Sequence, residues 1–337
     1  MFWHNIKIKI FLGIVVVLTF VFFFNVSVIE EINKTPEILH KDPIYVSMVF
    51  GGDIMLDRGV RAKVEKNFNG DYNKIFENIN LKNYDIFFAN LEGTVSDKGK
   101  DSGSKYSFRM DPLVLPALKN IGINILSVAN NHVGDWGREA YIDTLTRLKE
   151  NDIFSTGGGN TSTEAEQPVI IEKYGIKIGF LAFSDKGPDW MKATETKAGL
   201  LIASNPRFEE IIQNASRQVD YLIVSFHFGE EYQPIHDPRQ EYLAHTAVDN
   251  GAKIIIGAHP HVIQDTEKYK NGFIAYSLGN FIFDQSWSKA TMQGMLLEIK
   301  LYEDGNMIIK KNITQLNKFF QPTIAIEGIE EEIKFQN

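Results

Sequence analysis

Five short apolar runs along this 337-residue chain each stop at polar side chains, and that recurrence limits the possible folds more than any other feature. The sharpest case is Ile254-Ile255-Ile256-Gly257-Ala258-His259-Pro260-His261. A continuous apolar run of this length reads as a buried strand. Gly257 lets the backbone turn sharply after it, and Pro260 stiffens the turn so that both imidazoles aim at one point. An isolated His-x-His is as often an ordinary polar pair as a metal-binding one. Four more run ends tip the balance: Asp53 after 45–50, Glu92 after 85–89, Asn131 with His132 after 123–129, and His227 after 221–226. Carboxyl ends of strands are where open α/β sheets bind ligands.

The rest of the chain supplies helices between these strands. Helical patterns cover 73–79, 113–121 before Gly122, 207–219, and 238–250 with Pro238 in its first turn and Gly251 past its end. Another follows Gly137, with Tyr141, Ile142, Leu145 and Leu148 as its buried face. Hairpins are expected for 169–173 with 176–183 about Tyr174-Gly175, and for 295–301 with 307–313 across Glu303-Asp304-Gly305-Asn306. The run 273–278 is a further strand, and 185–200, with Trp190 and Met191, reads as a polar loop on the rim of the site. Gly157-Gly158-Gly159 lacks the G-x-G-x-x-G spacing and opens no helix, so it reads as a flexible loop with no phosphate role. Strands alternating with helices, then late antiparallel pairs, predict an α/β fold with helices outside two packed sheets.

The chemistry follows from which residue types are present. Cysteine is absent, which excludes thiolate ligands, cysteine nucleophiles and disulfides, so a metal must use His, Asp, Glu or Asn. Asp53, Glu92, Asn131, His227, His259 and His261 form a mixed oxygen and imidazole set that suits Mn²⁺, Fe²⁺ or Zn²⁺, with Glu92 able to bridge if one ion becomes two. Paired metals clamp the attacking and leaving oxygens of phosphoester hydrolysis. His132 then has the task of general acid, because imidazole titrates near neutrality. A net charge of −8 and the lack of a long basic run argue against nucleic acid as a partner.

The amino terminus points to a membrane. Residues 10–29 carry no charge, and at ~1.5 Å per helical residue they are long enough for a ~30 Å hydrocarbon core. Val26-Ser27-Val28 is a poor cleavage site, so the run reads as an uncleaved signal anchor rather than a signal peptide. Lys7 and Lys9 before it and Glu30 and Glu31 after it place residues 1–9 in the cytoplasm and the bulk outside. A polar linker, 30–43, leads to a domain over 44–320 and a C-terminal tail over 321–337.

Asp53, Asn131-His132, His227 and Gly257-x-His259-x-His261, in that order, resemble the motifs of the calcineurin-like metallophosphoesterases. Closer still, Gly52-Asp53-Ile54-Met55-Leu56, Asn90-Leu91-Glu92, Ala129-Asn130-Asn131-His132, His227-Phe228-Gly229-Glu230-Glu231-Tyr232, His259-Pro260-His261-Val262-Ile263-Gln264 and Tyr276-Ser277-Leu278-Gly279-Asn280-Phe281-Ile282-Phe283-Asp284 resemble the CapA family of poly-γ-glutamate capsule-synthesis proteins. The first resemblance implies a four-layer αββα sandwich. The second implies a membrane-anchored component that works with other membrane subunits of a capsule synthesis or export complex, on an anionic polymer or a phosphoester. Arg58, Asn90, Glu231 and Asn280, within or beside the matching segments, are then candidate substrate contacts. Two departures stand out. The phosphoesterase Asp-x-His is here Asp53-Ile54-Met55, whose thioether suits hard divalent ions poorly, and the second motif's Gly-Asp is replaced by Asn90-Leu91-Glu92. Three expectations stay open: a capsule component with a metal site, an extracellular phosphoesterase acting on another substrate, and a non-catalytic binding module.

Overall fold

The computed structural model of the protein describes residues 44–334, together with Ile10, Ile14 and Leu18. Within it, the strand Tyr45–Ile54 runs through the middle of a nine-stranded sheet. Its Val46, Met48 and Phe50 enter one apolar core while Val49 and Ile54 enter another. A strand buried on both faces must be apolar almost throughout, which is why these runs were legible. Ile86–Leu91, Ile125–Ser127 and Phe154–Thr156 continue the sheet in parallel on one side, and the hairpin Gln293–Tyr302 and Met307–Leu316 adds antiparallel strands on the other. A second sheet has a parallel centre of Ile176–Ser184, Tyr221–His227, Ala252–Ala258 and Gly272–Ala275, with antiparallel strands at both edges.

The two sheets share one core. Phe88 of the first stacks on Phe180 of the second with centroids 6.0 Å apart, and burying each such ring contributes about 1.5–3 kcal/mol. On the far face of the first sheet, Val49, Phe87 and Leu126 pack with the helices Arg58–Phe68, Val114–Ile121 and Gly137–Glu150. On the far face of the second, Val224, Phe226 and Ile255 pack with Phe208–Ser216 and Pro238–Asp249. The layers therefore run helix, sheet, sheet, helix. Local signals end the helices as expected: Asp237 accepts from the amides of Arg239 and Gln240 at 2.8 Å, and Gly122 closes its helix at φ +104°.

Several expectations need correction. Ile142 is 39% exposed, because the buried face of its helix follows Tyr141, Thr144, Leu145 and Leu148, and a neighbour one position away points about 100° off. Gly158–Gly159 is a strand paired with Gly199–Leu200 rather than a free loop. Met191 of the expected rim loop is fully buried, while Trp190 beside it is exposed. Two strands, Pro322–Ile326 and Glu330–Ile333, lie in the stretch read as a tail and pair with Met307–Leu316. The helix Arg58–Phe68 left no apolar pattern, since only Val60 and Val64 of it are buried. Among the described residues no helix is long and apolar enough to cross a membrane. The run 10–29 lies, three positions apart, outside them.

Because the central strands of both sheets are parallel, their carboxyl ends collect at one edge. Register does the rest. Asp53 pairs with both Asn90 and Asn280, Asn90 with Ser127, and His227 with Ala258.

Candidate metal centre

Asp53 is fully buried at the end of its strand, where Gly52 permits close approach: a Cβ there would lie 1.8 Å from the carbonyl oxygen of Gly279. Its Oδ1 accepts from Asn90 Nδ2 at 2.8 Å and its Oδ2 from the backbone N–H of His259 at 3.2 Å. The second of these bonds joins the two sheets. Asn90 Nδ2 also lies 3.3 Å from His227 Nδ1, and Asn130 donates to Asn90 Oδ1 and to the carbonyl of Leu91.

The histidine turn is built differently from the expectation. Gly257 does not make the bend; it is needed because a Cβ would lie 1.9 Å from the carbonyl of Tyr276. The chain turns at His259, φ +99°, and His261, φ +58°. Left-handed backbone at non-glycine residues costs about 1–3 kcal/mol and persists where surrounding contacts hold it. Here it directs both rings into the pocket. His261 Nδ1 meets Asn280 Oδ1 at 3.0 Å, and Asn280 is itself held by donating to Gln285 and to the carbonyl of Thr291. With the Nδ1 proton given to Asn280, His261 Nε2 is the ligating nitrogen, 3.7 Å from Glu92 Oε1. His227 Nε2 contacts Asn131 Oδ1 at 2.8 Å.

His132 stands opposite. Its Nδ1 is 2.8 Å from Asp135 Oδ2, which also accepts from the Phe108 amide, and its Nε2 is 3.7 Å from Glu92 Oε1. The Phe108 ring lies over the imidazole with centroids 4.0 Å apart. Arg58 pairs with Asp284 and passes 4.9 Å above the same ring.

Electrostatically the pocket is incomplete. Glu92 is wholly buried, and among the described residues neither of its oxygens has a hydrogen-bond partner; His259 Nδ1 is orphaned in the same way. Burial, then the charge of Asp53, pushes the Glu92 carboxyl well above its usual range. Burial pushes Asp53 up to about 7 against the hydrogen bonds from Asn90 and His259. Burial holds His227 and His259 well below their usual value and His261 at about 4, so all three stay neutral; His259 and His261 keep a lone pair to give, while both nitrogens of His227 meet the amides of Asn90 and Asn131. Two acids and three neutral imidazoles in one buried pocket make a candidate donor set for a divalent cation. Two groups of three bring ligand atoms within 4.8 Å of one another: Asp53, Glu92 and His261, and Glu231, His259 and His261.

The structure thus brings Asp53, Glu92, His259 and His261 within ligand distance in two groups, with His227, Asn131 and His132 in contact with them or with one another at the same edge. Asn90 and Asn280 are buried, and their amides orient Asp53, His227 and His261. Met55 is buried against Phe108 and Phe283, with its sulfur accepting from the Asp57 amide at 3.2 Å. Sequence reasoning passed over Asp135, which turn chemistry explains equally well; its one signal was its place three residues after His132. It also missed Asp284 and Gln285, which act only through partners far away in sequence.

The family model described as bacterial capsule synthesis protein PGA_cap matches residues 47–285, a span that holds every residue of this pocket. The capsule biosynthesis protein CapA of Bacillus anthracis is 31% identical over 312 residues, 89% of this chain and 74% of that protein. The PGA biosynthesis protein CapA of Bacillus subtilis (strain 168) is 30% identical over 275 residues, 81% and 72%. Among solved structures, the calcineurin-like phosphoesterase YfkN from Bacillus subtilis aligns with a TM-score of 0.40 at 14% identity, over 86% of this chain and 90% of that one.

Proposed function

We propose that this chain, which belongs to the bacterial capsule synthesis protein family, serves poly-γ-glutamate capsule production as a membrane-anchored, outward-facing component with a divalent-metal site. The observation that carries the metal site is Glu92, a buried carboxyl without a donor beside Asp53 and His261. Asp53, Glu92, Asn131, His227, His259 and His261 would hold the metal. Bound there, a cation such as Mn²⁺, Fe²⁺ or Zn²⁺ supplies Lewis acidity toward a substrate oxygen and lowers the pKa of a water toward neutrality.

The chain's own groups then divide the remaining work. Asp135 fixes the His132 ring through Nδ1, so the proton exchanged with a leaving group sits on Nε2, which faces the pocket. Phe108 covers that ring and excludes water. Arg58 and Lys186 stand near the pocket, each paired with a carboxylate, Asp284 and Glu230, that an anionic polymer or phosphoester would have to displace. The anchor over 10–29 would hold the site on the outer surface beside other membrane subunits of the complex. A non-catalytic binding module is the second reading, favoured by Met55, whose sulfur is taken by the Asp57 amide and suits hard divalent ions poorly.

Complementing a deletion strain tests these together. Capsule should be lost with His259→Ala and with His132→Ala, while His132→Ala keeps its metal. Normal capsule from a fully metallated His132→Ala protein would remove the catalytic reading and leave the binding module. Protease added to intact protoplasts should digest the domain; protection would place it inside.

A further inference from the structure

We propose that Glu231, Tyr232 and Trp287 form an ammonium-binding subsite at the mouth of the pocket, which takes the free amino end of a γ-linked glutamate polymer. The inference rests on the polymer reading above and deepens it, from an anionic chain in general to one end of that chain.

Tyr232 and Trp287 are 42% and 63% exposed, and their rings meet edge to face with centroids 5.8 Å apart. Tyr232 also stacks on His261, centroids 6.1 Å apart, which sets the pair at the entrance to the pocket. Both rings are held in place. The Tyr232 amide donates to the Pro260 carbonyl at 2.8 Å with its own residue at φ +65°, and its hydroxyl accepts from Gln285 Nε2 at 3.4 Å. Gln285 accepts from Asn280 Nδ2 at 3.1 Å, and its carbonyl from Thr291 Oγ1 at 2.6 Å, which closes the loop that carries Trp287. The Asn280 amide that orients His261 therefore steadies the rings as well.

Charge selects the ligand. Aromatic faces are electron-rich and attract cations. Glu230 is paired with Lys186 at 2.7 Å, but among the described residues no lysine or arginine pairs with the exposed Glu231. Burial and then the Glu231 carboxylate raise the Tyr232 phenol, so the ring stays neutral beside that charge. Within His261, Nδ1 meets Asn280 and Nε2 faces Glu92, which leaves Glu231 outside the buried group. An unpaired carboxylate beside two open rings suits an organic ammonium. A γ-linked polyglutamate carries one only at its amino end, because every interior nitrogen is a neutral amide. There the ammonium and a carboxylate share one carbon, so holding the first at the mouth presents the second to the histidines.

The test is a calorimetric titration of the full-length, Mn²⁺-loaded chain in detergent with tri-γ-glutamate and with the same peptide N-acetylated. Wild type should bind the free-amine peptide about tenfold more tightly. W287A and E231Q should each abolish that preference, and W287F should keep most of it. Both side chains are exposed, so both variants should melt like wild type and hold as much Mn²⁺ by elemental analysis, which separates loss of the subsite from loss of fold or metal. Equal binding of the two peptides by wild type, or an unchanged preference in W287A, would overturn the subsite and leave the polymer reading intact. Loss of Mn²⁺ from E231Q would assign that carboxylate to the metal and overturn the subsite too. Binding of neither peptide by wild type would overturn the polymer reading and this inference together.

Discussion

Glu92 and Asp143 are both buried carboxyl groups, and their surroundings push them in opposite directions. Burial alone would raise Asp143 too. Hydrogen bonds from Lys98, Ser96 and Arg147 outweigh it and hold this carboxyl down at about 2. Ser96 Oγ donates at 2.7 Å, Lys98 Nζ approaches to 2.8 Å, and Arg147 Nε donates at 2.6 Å while its other arm pairs with Asp97. Glu92 has another acid, Asp53, as its neighbour, whose charge and carboxyl contact raise it further, and among the described residues no nitrogen or hydroxyl donor reaches its oxygens. A buried acid that the chain has fully paired is part of the scaffold. One left without such donors among neutral imidazoles marks a candidate functional site.

Three measurements would break or sharpen this contrast. The largest effect belongs to the metal: at about 100 times Kd, Mn²⁺ should stabilise wild type by about 3 kcal/mol, a rise of several degrees in Tm. His259→Ala should lose most of that rise, together with bound metal. A full rise in the variant would show that the cation binds elsewhere.

The next effect has the opposite sign. The folded, metal-free chain binds the Glu92 proton more tightly than the unfolded chain does. That advantage is complete below about pH 4.5 and is lost as pH rises through the raised folded value. Glu92→Gln should therefore match wild type near pH 4 and be more stable, by about 1–3 kcal/mol, at pH 8 with chelator present. Denaturant melts at the two pH values measure it. A destabilised variant at pH 8 would mean that Glu92 is paired after all.

Asp143→Asn should give the smallest change and the reverse trend. Its folded value lies below its unfolded one, so its contribution is present above about pH 4 and is lost as pH falls through 2. The cost at pH 7 should be about 1 kcal/mol, because Lys98 and Arg147 are partly exposed and screened. It should vanish near pH 2 and be indifferent to Mn²⁺.

What could be read in advance follows the range of the interactions involved. Strands buried on both faces must be apolar, so 45–50, 85–89, 221–226 and 254–256 announced themselves, and a polar residue at the end of each marked the sheet edge. The histidine turn was legible in outline, but its cause was misplaced. His259 and His261 adopt left-handed backbone, and Gly257 answers to Tyr276, nineteen residues further along. Arg58–Phe68 and the last two strands were invisible because each buries too few side chains to leave a period.

By itself, then, the order of residues determined the two-sheet α/β layering, the edge where the polar strand ends collect and a list of candidate ligands, since these depend on local periodicity and side-chain type. Only tertiary structure decided which atoms are spent and which are free. Asp53 receives the amide of His259 from 206 positions away, Asn90 and Asn280 turn inward to orient ligands, and Asp143 is paired while Glu92 is not. Those outcomes depend on donors brought from remote strands into a buried pocket, where one hydrogen bond more or less decides whether a carboxyl is held down or pushed up.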